Sequence, residues 1–214
     1  LIFQSTRNGR TCDQAFVMNI DGSNVKRVST GGGKTTCGSF CDGDRKIFFA
    51  STHAADTACP VKPDPSKGYV WGLDPYDIYT ANPDGSKLTR LTKYGVYTAE
   101  GTLSPDGQTI VFTSLKDGDL DLYTMNVDGT HIRRLTDTPG YDGGAFFSPD
   151  GTKIVYRANH PTDSTELAEY RSLLAQRIVR PNKREIWVMN ADGTDQHQNT
   201  HMGGANFAPD FTPD

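Results

Sequence analysis

The sequence predicts an all-β fold of repeated four-stranded antiparallel sheets, and three observations carry that expectation. The first is composition: Tyr, Phe, Thr, Val and Ile are plentiful, and 22 Gly with 12 Pro supply many turns, as short strands on tight connections require. The second is a recurring phrase. "FVMNIDGS" (residues 16–23), "IYTANPDGS" (78–86), "LYTMNVDGT" (122–130) and "IWVMNADGT" (186–194) place Asp21, Asp84, Asp128 and Asp192 at steps of 63, 44 and 64. The third is the turn "SPDG" and its variants, at Asp42, Asp106, Asp150 and Asp214, with steps of 64, 44 and 64. Two independent series that agree define a structural unit of about 44 residues, with insertions of about 20 in two copies.

Each unit divides into four short segments. In the best-preserved copy these are "TAEGTLS" (98–104), "TIVFTS" (109–114), "LDLYTMN" (120–126) and "HIRRLT" (131–136). The first segment is rich in Gly and Ala in other copies as well ("YDGGAFFS", "HMGGANFAPDF"), which suits strands crowding a central axis. The second ("KIFFAS", "KIVYRA") is apolar at consecutive positions, as a strand sandwiched between neighbouring sheets should be. The fourth ("NVKRVST", "KLTRLT") alternates apolar with Lys, Arg or Thr, the pattern of a protected outer edge. Such a unit is one blade of a β-propeller. Asp-Gly tolerates positive φ and closes the hairpin between third and fourth strands, and Pro-Asp-Gly does the same between first and second. These aspartates are therefore read as scaffold rather than ligands.

Residues 104–136 resemble the blade of the TolB-like, WD-repeat-like propellers, which reads approximately "SPDG..I.F.S...G..DIY.MN.DG...RLT". The resemblance extends over nearly all of the chain outside the two insertions. It implies a propeller working in the bacterial periplasm or outside the cell as a protein-binding platform. The same blades occur as accessory domains of prolyl-oligopeptidase-like and tricorn-type peptidases.

Four blade-equivalents are expected within a single domain spanning 1–214. The chain opens on a second strand, "LIFQS", and stops at "FTPD", so it is expected to be part of a larger ring. Closure of four blades by pairing "ANFAPDF" with "LIFQS", or completion by a second chain, are the other arrangements. Both insertions fall between second and third strands and should emerge on one face. Residues 53–75 are rich in Pro and Gly and carry Tyr69 and Trp71, so an ordered irregular loop is expected. Residues 159–184 hold Leu167, Tyr170, Leu174 and Ile178 at helical spacing, with Asp163 and Glu166 as a start and Pro181 as a stop. That helix serves either as a lid over blade edges or as a docking surface. Tyr69, Trp71, Leu167, Tyr170 and Leu174 are the candidate partner-binding residues.

Cys37 and Cys41 should share one inner strand, about 13 Å apart, too far to bridge each other. Cys59 is expected to pair with Cys37 or Cys12, with Cys37–Cys59 as the candidate disulfide, in a chain exported to an oxidising compartment.

Signs of catalysis are lacking. There is no "GxSxG" and no "HExxH", and "STGGGKTT" (29–36) leads into a strand rather than a helix, so it is not a phosphate loop. His53, His160 and His201 occupy rim positions without ligand spacing. Asp117, Asp119 and Asp121 in "DGDLD" alternate in a way that could wrap Ca²⁺ if the segment looped. In a strand the same spacing points three side chains one way, and Asp121 aligns with Asp77 and Glu185 as part of the repeat. Apart from possible Ca²⁺, no cofactor is expected. Glu100 and Asp142, early in inner strands, with Tyr97, Tyr141 and Asn206, make a candidate ligand site at the channel mouth for a cation, a basic peptide end or a sugar. A net charge of −4 recruits no nucleic acid, and no apolar run approaches the roughly 20 residues of a membrane helix. With neither Met nor a leader at its start, any targeting segment is expected to have been removed or left out. The expected role is a non-catalytic binding scaffold, with the propeller part of a serine peptidase or other hydrolase as the alternative.

Overall fold

The computed structural model describes residues 1–7 and 9–212. Blade one is three-stranded, β1 (Ile2–Ser5), β2 (Gln14–Val17) and β3 (Lys26–Arg27). Blade two runs β4 (Thr35–Cys41), β5 (Lys46–Ser51), then a two-residue strand β6 (Trp71–Gly72) inside the first insertion, then β7 (Asp77–Ala81) and β8 (Thr89–Arg90). Blade three is β9 (Thr98–Leu103), β10 (Thr109–Ser114), β11 (Asp121–Asn126) and β12 (Arg133–Arg134). Blade four is β13 (Tyr141–Phe147) and β14 (Lys153–Asn159), the insertion with α1 (Ser164–Ala175) and β15 (Ile178–Val179), then β16 (Glu185–Asn190) and β17 (His197–Gln198). Blades two to four are four-stranded antiparallel sheets in which each strand pairs with the next of its blade. The outermost strands are only two residues long, and those of blades one to three carry Lys, Arg or Thr, which leaves little edge to template aggregation.

Each turn aspartate is spent on its own hairpin. Asp21, Asp84, Asp128 and Asp192 accept the amide of the residue two on, at 2.9 to 3.0 Å, and the following glycines all stand at φ of 83° to 86°. A second fourfold device joins third and fourth strands. Gln14, Asp77, Asp121 and Glu185 accept from the hydroxyls of Ser29, Thr92, Thr136 and Thr200, and those hydroxyls accept the amides of Ala15, Ile78, Leu122 and Ile186. In blades two and three Arg90 and Arg134 add ion pairs to Asp77 and Asp121. Asp121 is thus a fastening of the blade, and its neighbours face elsewhere. Asp117 binds Lys116 and the Tyr123 hydroxyl, while Asp119 accepts from the Tyr170 hydroxyl and the Gly140 amide. The looped arrangement of Asp117, Asp119 and Asp121 that would wrap Ca²⁺ does not occur; β11 begins at Asp121 and splits them. Among the described residues no three His, Cys, Asp or Glu side chains are grouped as metal ligands.

Apolar clusters fill each gap between blades: Val28, Ile47, Phe49 and Tyr79 between one and two; Phe48, Ile78, Ile110 and Tyr123 between two and three; Leu122, Ile154, Tyr156 and Met189 between three and four. The fourth cluster lies on the insertion face, where Tyr170 and Val179 of the second insertion and Leu73 of the first cover Tyr97, Leu115, Leu120 and Tyr141. The insertions also hydrogen-bond. β6 pairs antiparallel with β15, Leu73 N–H donates to Arg177 O at 2.8 Å, and Arg180 reaches Lys67 O at 3.0 Å. Excursions from blades two and four therefore meet above blade three as one strap.

Three expectations need correction. The disulfide is Cys12–Cys59, tying the first insertion back to blade one, whereas Cys37 is a free thiol and makes no Cys37–Cys59 bridge. The segment "ANFAPDF" forms no strand and does not pair with β1; it is irregular and is held by Asn206 on Arg184 O at 3.0 Å. Ile178 leaves the helical stripe, because α1 ends at Gln176 with Arg177 in the left-handed region, and it enters β15 instead. Asp214, the last member of the turn series, lies outside the described residues.

Candidate functional site

The inner strands β4, β9 and β13 each break register once against the second strand of their blade. At the break stand Cys37 (φ 52°), Glu100 (φ 57°) and Gly144 (φ 57°). A bulge of this kind suits glycine, and only blade four supplies one; a charged side chain in the left-handed region is uncommon and costs on the order of 1 kcal/mol or more. The three positions line a cavity of about 530 Å³ at the hub, with Ser39, Thr102 and Arg157.

Glu100 is the centre of the polar cluster there. It accepts from the Tyr97 hydroxyl at 2.7 Å, from the Tyr141 hydroxyl at 3.1 Å and from Arg157 Nη2 at 2.9 Å. Arg157 also donates from Nε to the Tyr141 oxygen at 3.1 Å. Burial opposes the charge on Arg157, but Glu100 and Tyr141 outweigh it and hold the guanidinium firmly protonated. Burial, then the Glu100 charge, pushes both tyrosine hydroxyls up, so they act as donors. Above this cluster Arg184 is fully buried, with its guanidinium 3.2 Å from the centre of the Tyr141 ring and 5.1 Å from Trp71. Its Nε and Nη1 find no hydrogen-bond partner among the described residues, and burial lowers its pKa. Trp71 and Phe207 also face Arg157, at 5.3 and 5.5 Å.

Of the residues singled out for the mouth, Glu100, Tyr97 and Tyr141 come together. Asp142 does not. In the blade alignment it matches Thr98, not Glu100, and it lies fully buried against His160 Nε2 at 2.9 Å. Asn206 is occupied in pinning the C-terminal segment to Arg184 O. His53 bonds Ser51 and His201 bonds Gln198, so the rim histidines do not converge. Arg157 and Arg184 are the residues of this candidate site that sequence reasoning missed. Arg157 occupies the place of Thr113 in blade three and Ala50 in blade two, and that departure from the repeat was the available signal.

The proposed docking residues divide as well. Tyr170 is buried, its hydroxyl donating to Asp119 and Gly140 O, and Leu167 and Leu174 pack on the same cluster, so the helix acts as a lid. Trp71 is half-buried over the arginines, and only Tyr69 is open, at 76% exposure.

Residues 78–165, running from β7 into α1, match the family model of the TolB β-propeller domain. Over that stretch the chain resembles the TolB propeller, and its blades give the whole a β-propeller fold. No curated protein matches it in sequence. A putative TolB from Agrobacterium tumefaciens is similar over 89% of this chain and 75% of its own length, at 18% identity and a TM-score of 0.51. A puromycin hydrolase is similar over 88% of this chain at 11% identity and a TM-score of 0.57. A chain of a nidogen/laminin complex is similar over 87% at 14% identity and a TM-score of 0.51. This chain spans 26% of the hydrolase and 57% of the nidogen/laminin chain. At these identities the likeness is one of fold.

Proposed function

We propose that this TolB-like propeller is a non-catalytic binding scaffold whose ligand enters the hub cavity beneath the strap. The observation that carries the reading is Glu100, held at positive φ so that its carboxylate faces that cavity beside Arg157. A carboxylate fixed by two phenols and a guanidinium keeps one lone pair for a partner's N–H donor, and the neighbouring thiol, hydroxyls and backbone add polar contacts. The cavity hydroxyls of Ser39 and Thr102 donate to the Phe40 and Ala145 carbonyls rather than to Glu100. Ser51, bonded to His53, is 1% exposed, and the His160–Asp142 pair is buried away from the cavity. The Cys12–Cys59 disulfide supports a place outside the cytoplasm, in the periplasm or beyond. No helix is long and apolar enough to cross a membrane among the described residues.

Short peptides with a free amino terminus, and the same peptides acetylated, test the site by calorimetric titration against the wild type and Glu100→Gln. Binding of the free-amine form, lost in the variant, supports it. Equal affinity of both forms, or of both proteins, would discard it. The rival reading, the propeller of a larger hydrolase, predicts a "GxSxG" domain encoded beside this segment.

A further inference from the structure

A second cavity, of about 550 Å³, lies outside the hub, between blade three and the exit of α1. Its walls are Val96 and Leu115 from blade three with Leu174 and Ala175 from the helix, and its rim carries Lys116, Arg171 and Arg177. A volume in this range is that of a ligand site, and its lining joins an apolar floor to three cations.

The charges are unbalanced in a way that the rest of α1 is not. The helix spends both of its glutamates on its other side, Glu166 on Lys183 and Glu169 on Arg180. Lys116 is held by Asp117 at 2.7 Å and lies 4.7 Å from the Tyr123 ring. Arg171 and Arg177 are exposed, and neither side chain has an ion pair or hydrogen bond among the described residues. Interaction with the helix C-terminus does not account for both, because α1 has no basic residue in its last turn and Arg177 stands at φ 58°, immediately past the cap residue Gln176, where glycine is the favoured residue. The chain keeps an arginine where its backbone is strained, on the rim of a cavity.

We infer that this cavity docks an acidic peptide segment of a protein partner, with an apolar side chain seated on Leu115 and Leu174 and carboxylates on Arg171 and Arg177. The two arginines lie six positions apart, on the order of 9 Å along the helix direction, a spacing at which each can meet its own carboxylate. Acidic residues two or three apart on an extended segment span on the order of 7 to 10 Å. A single-headed fatty carboxylate brings only one charge to the two guanidinium groups. The site is separate from the hub cavity and does not depend on it.

The probe is a fluorescein-labelled, amidated hexapeptide alternating aspartate and leucine, read by anisotropy with the 214-residue chain. Arg171→Glu with Arg177→Glu should weaken binding at least tenfold and reverse the preference toward a lysine–leucine peptide. Arg177→Gly is the sharper test. It should raise Tm by relieving the strained turn while weakening the aspartate–leucine peptide severalfold, and a purely structural arginine would not give opposite signs. Unchanged affinity in both variants, equal binding of the lysine–leucine peptide by the wild type, or displacement by decanoate at equal concentration would overturn the proposal, the last by assigning the site to a lipid carboxylate.

Discussion

Glu100 combines backbone strain with three donors that converge on it, and the two contributions oppose each other on substitution. Glycine, which blade four uses at the same place, removes roughly 1 to 3 kcal/mol of strain. It also leaves the half-hidden Arg157 without its carboxylate, at a cost of roughly 3 to 5 kcal/mol. Glu100→Gly should therefore lose about 2 kcal/mol by urea unfolding, and adding Arg157→Ala should recover part of that loss. A double variant less stable than Glu100→Gly would show that Arg157 does not depend on Glu100. The His160–Asp142 pair gives the pH dependence. Burial opposes the charge on His160, but the hydrogen bond and charge of Asp142 more than offset this and raise its pKa; burial raises Asp142 as well. The folded protein then holds the shared proton more tightly than the unfolded chain. That stability is complete below the ordinary histidine value of 6.5 and is lost as pH rises through the higher folded value. Unfolding midpoints should fall from pH 6 to pH 9 in the wild type and flatten in His160→Gln.

At the scale of the element, the strap replaces with side-to-side contacts what an uninterrupted ring obtains from its closure. Cys12–Cys59 fixes its near end to blade one, β6–β15 joins its halves, and α1 seals its far end through Tyr170. The covalent tie closes a separation of 47 residues, for which loop-closure entropy gives about 4 kcal/mol. Cys12→Ser with Cys59→Ser should lose about 3 to 4 kcal/mol with the blades' circular dichroism retained, and a loss below about 1 kcal/mol would mean that the strap holds its place without the tie. The hairpins were legible from sequence because Asp-Gly and Pro-Asp-Gly act within four residues, where local chemistry decides. The strap was legible only as two excursions leaving one face. Its joining strand is two residues on each side, and its partners Trp71 and Val179 lie more than a hundred positions apart, so no local pattern encodes their pairing. Cys59 was legible as a bridging residue on the insertion face, but the choice of Cys37 over Cys12 was wrong because it turned on how far the loop reaches. Likewise, Arg157 was hidden because strand periodicity reports burial, and a guanidinium paired at the hub occupies a position that the small side chains of Ala50 and Thr113 fill in the other blades.

Across the whole molecule the blades form a series in which each buries its faces against neighbours, so stability should vary along the arc rather than fall uniformly. Blade three has a filled cluster on both sides and the strap above it, and β10 and β11 bury Ile110, Phe112, Leu122 and Tyr123 completely. Blade one has a cluster on one side alone, β1 is half-buried, and Leu1, Ile20 and Val25 stand exposed. Blade four has one filled side, with Ile186, Trp187 and Val188 half-buried on β16. Native-state hydrogen exchange should therefore give the highest opening free energies in β10 and β11, intermediate values in β5 and β14, and the lowest in β1 to β3. Reducing Cys12–Cys59 should lower protection in blade one and in residues 53–75 first, since the tie joins those two parts, and should reach β10 last. Uniform protection from β1 to β16 would mean that the arc opens as a single cooperative unit, and the blade interfaces would then be coupled more strongly than their separate clusters imply.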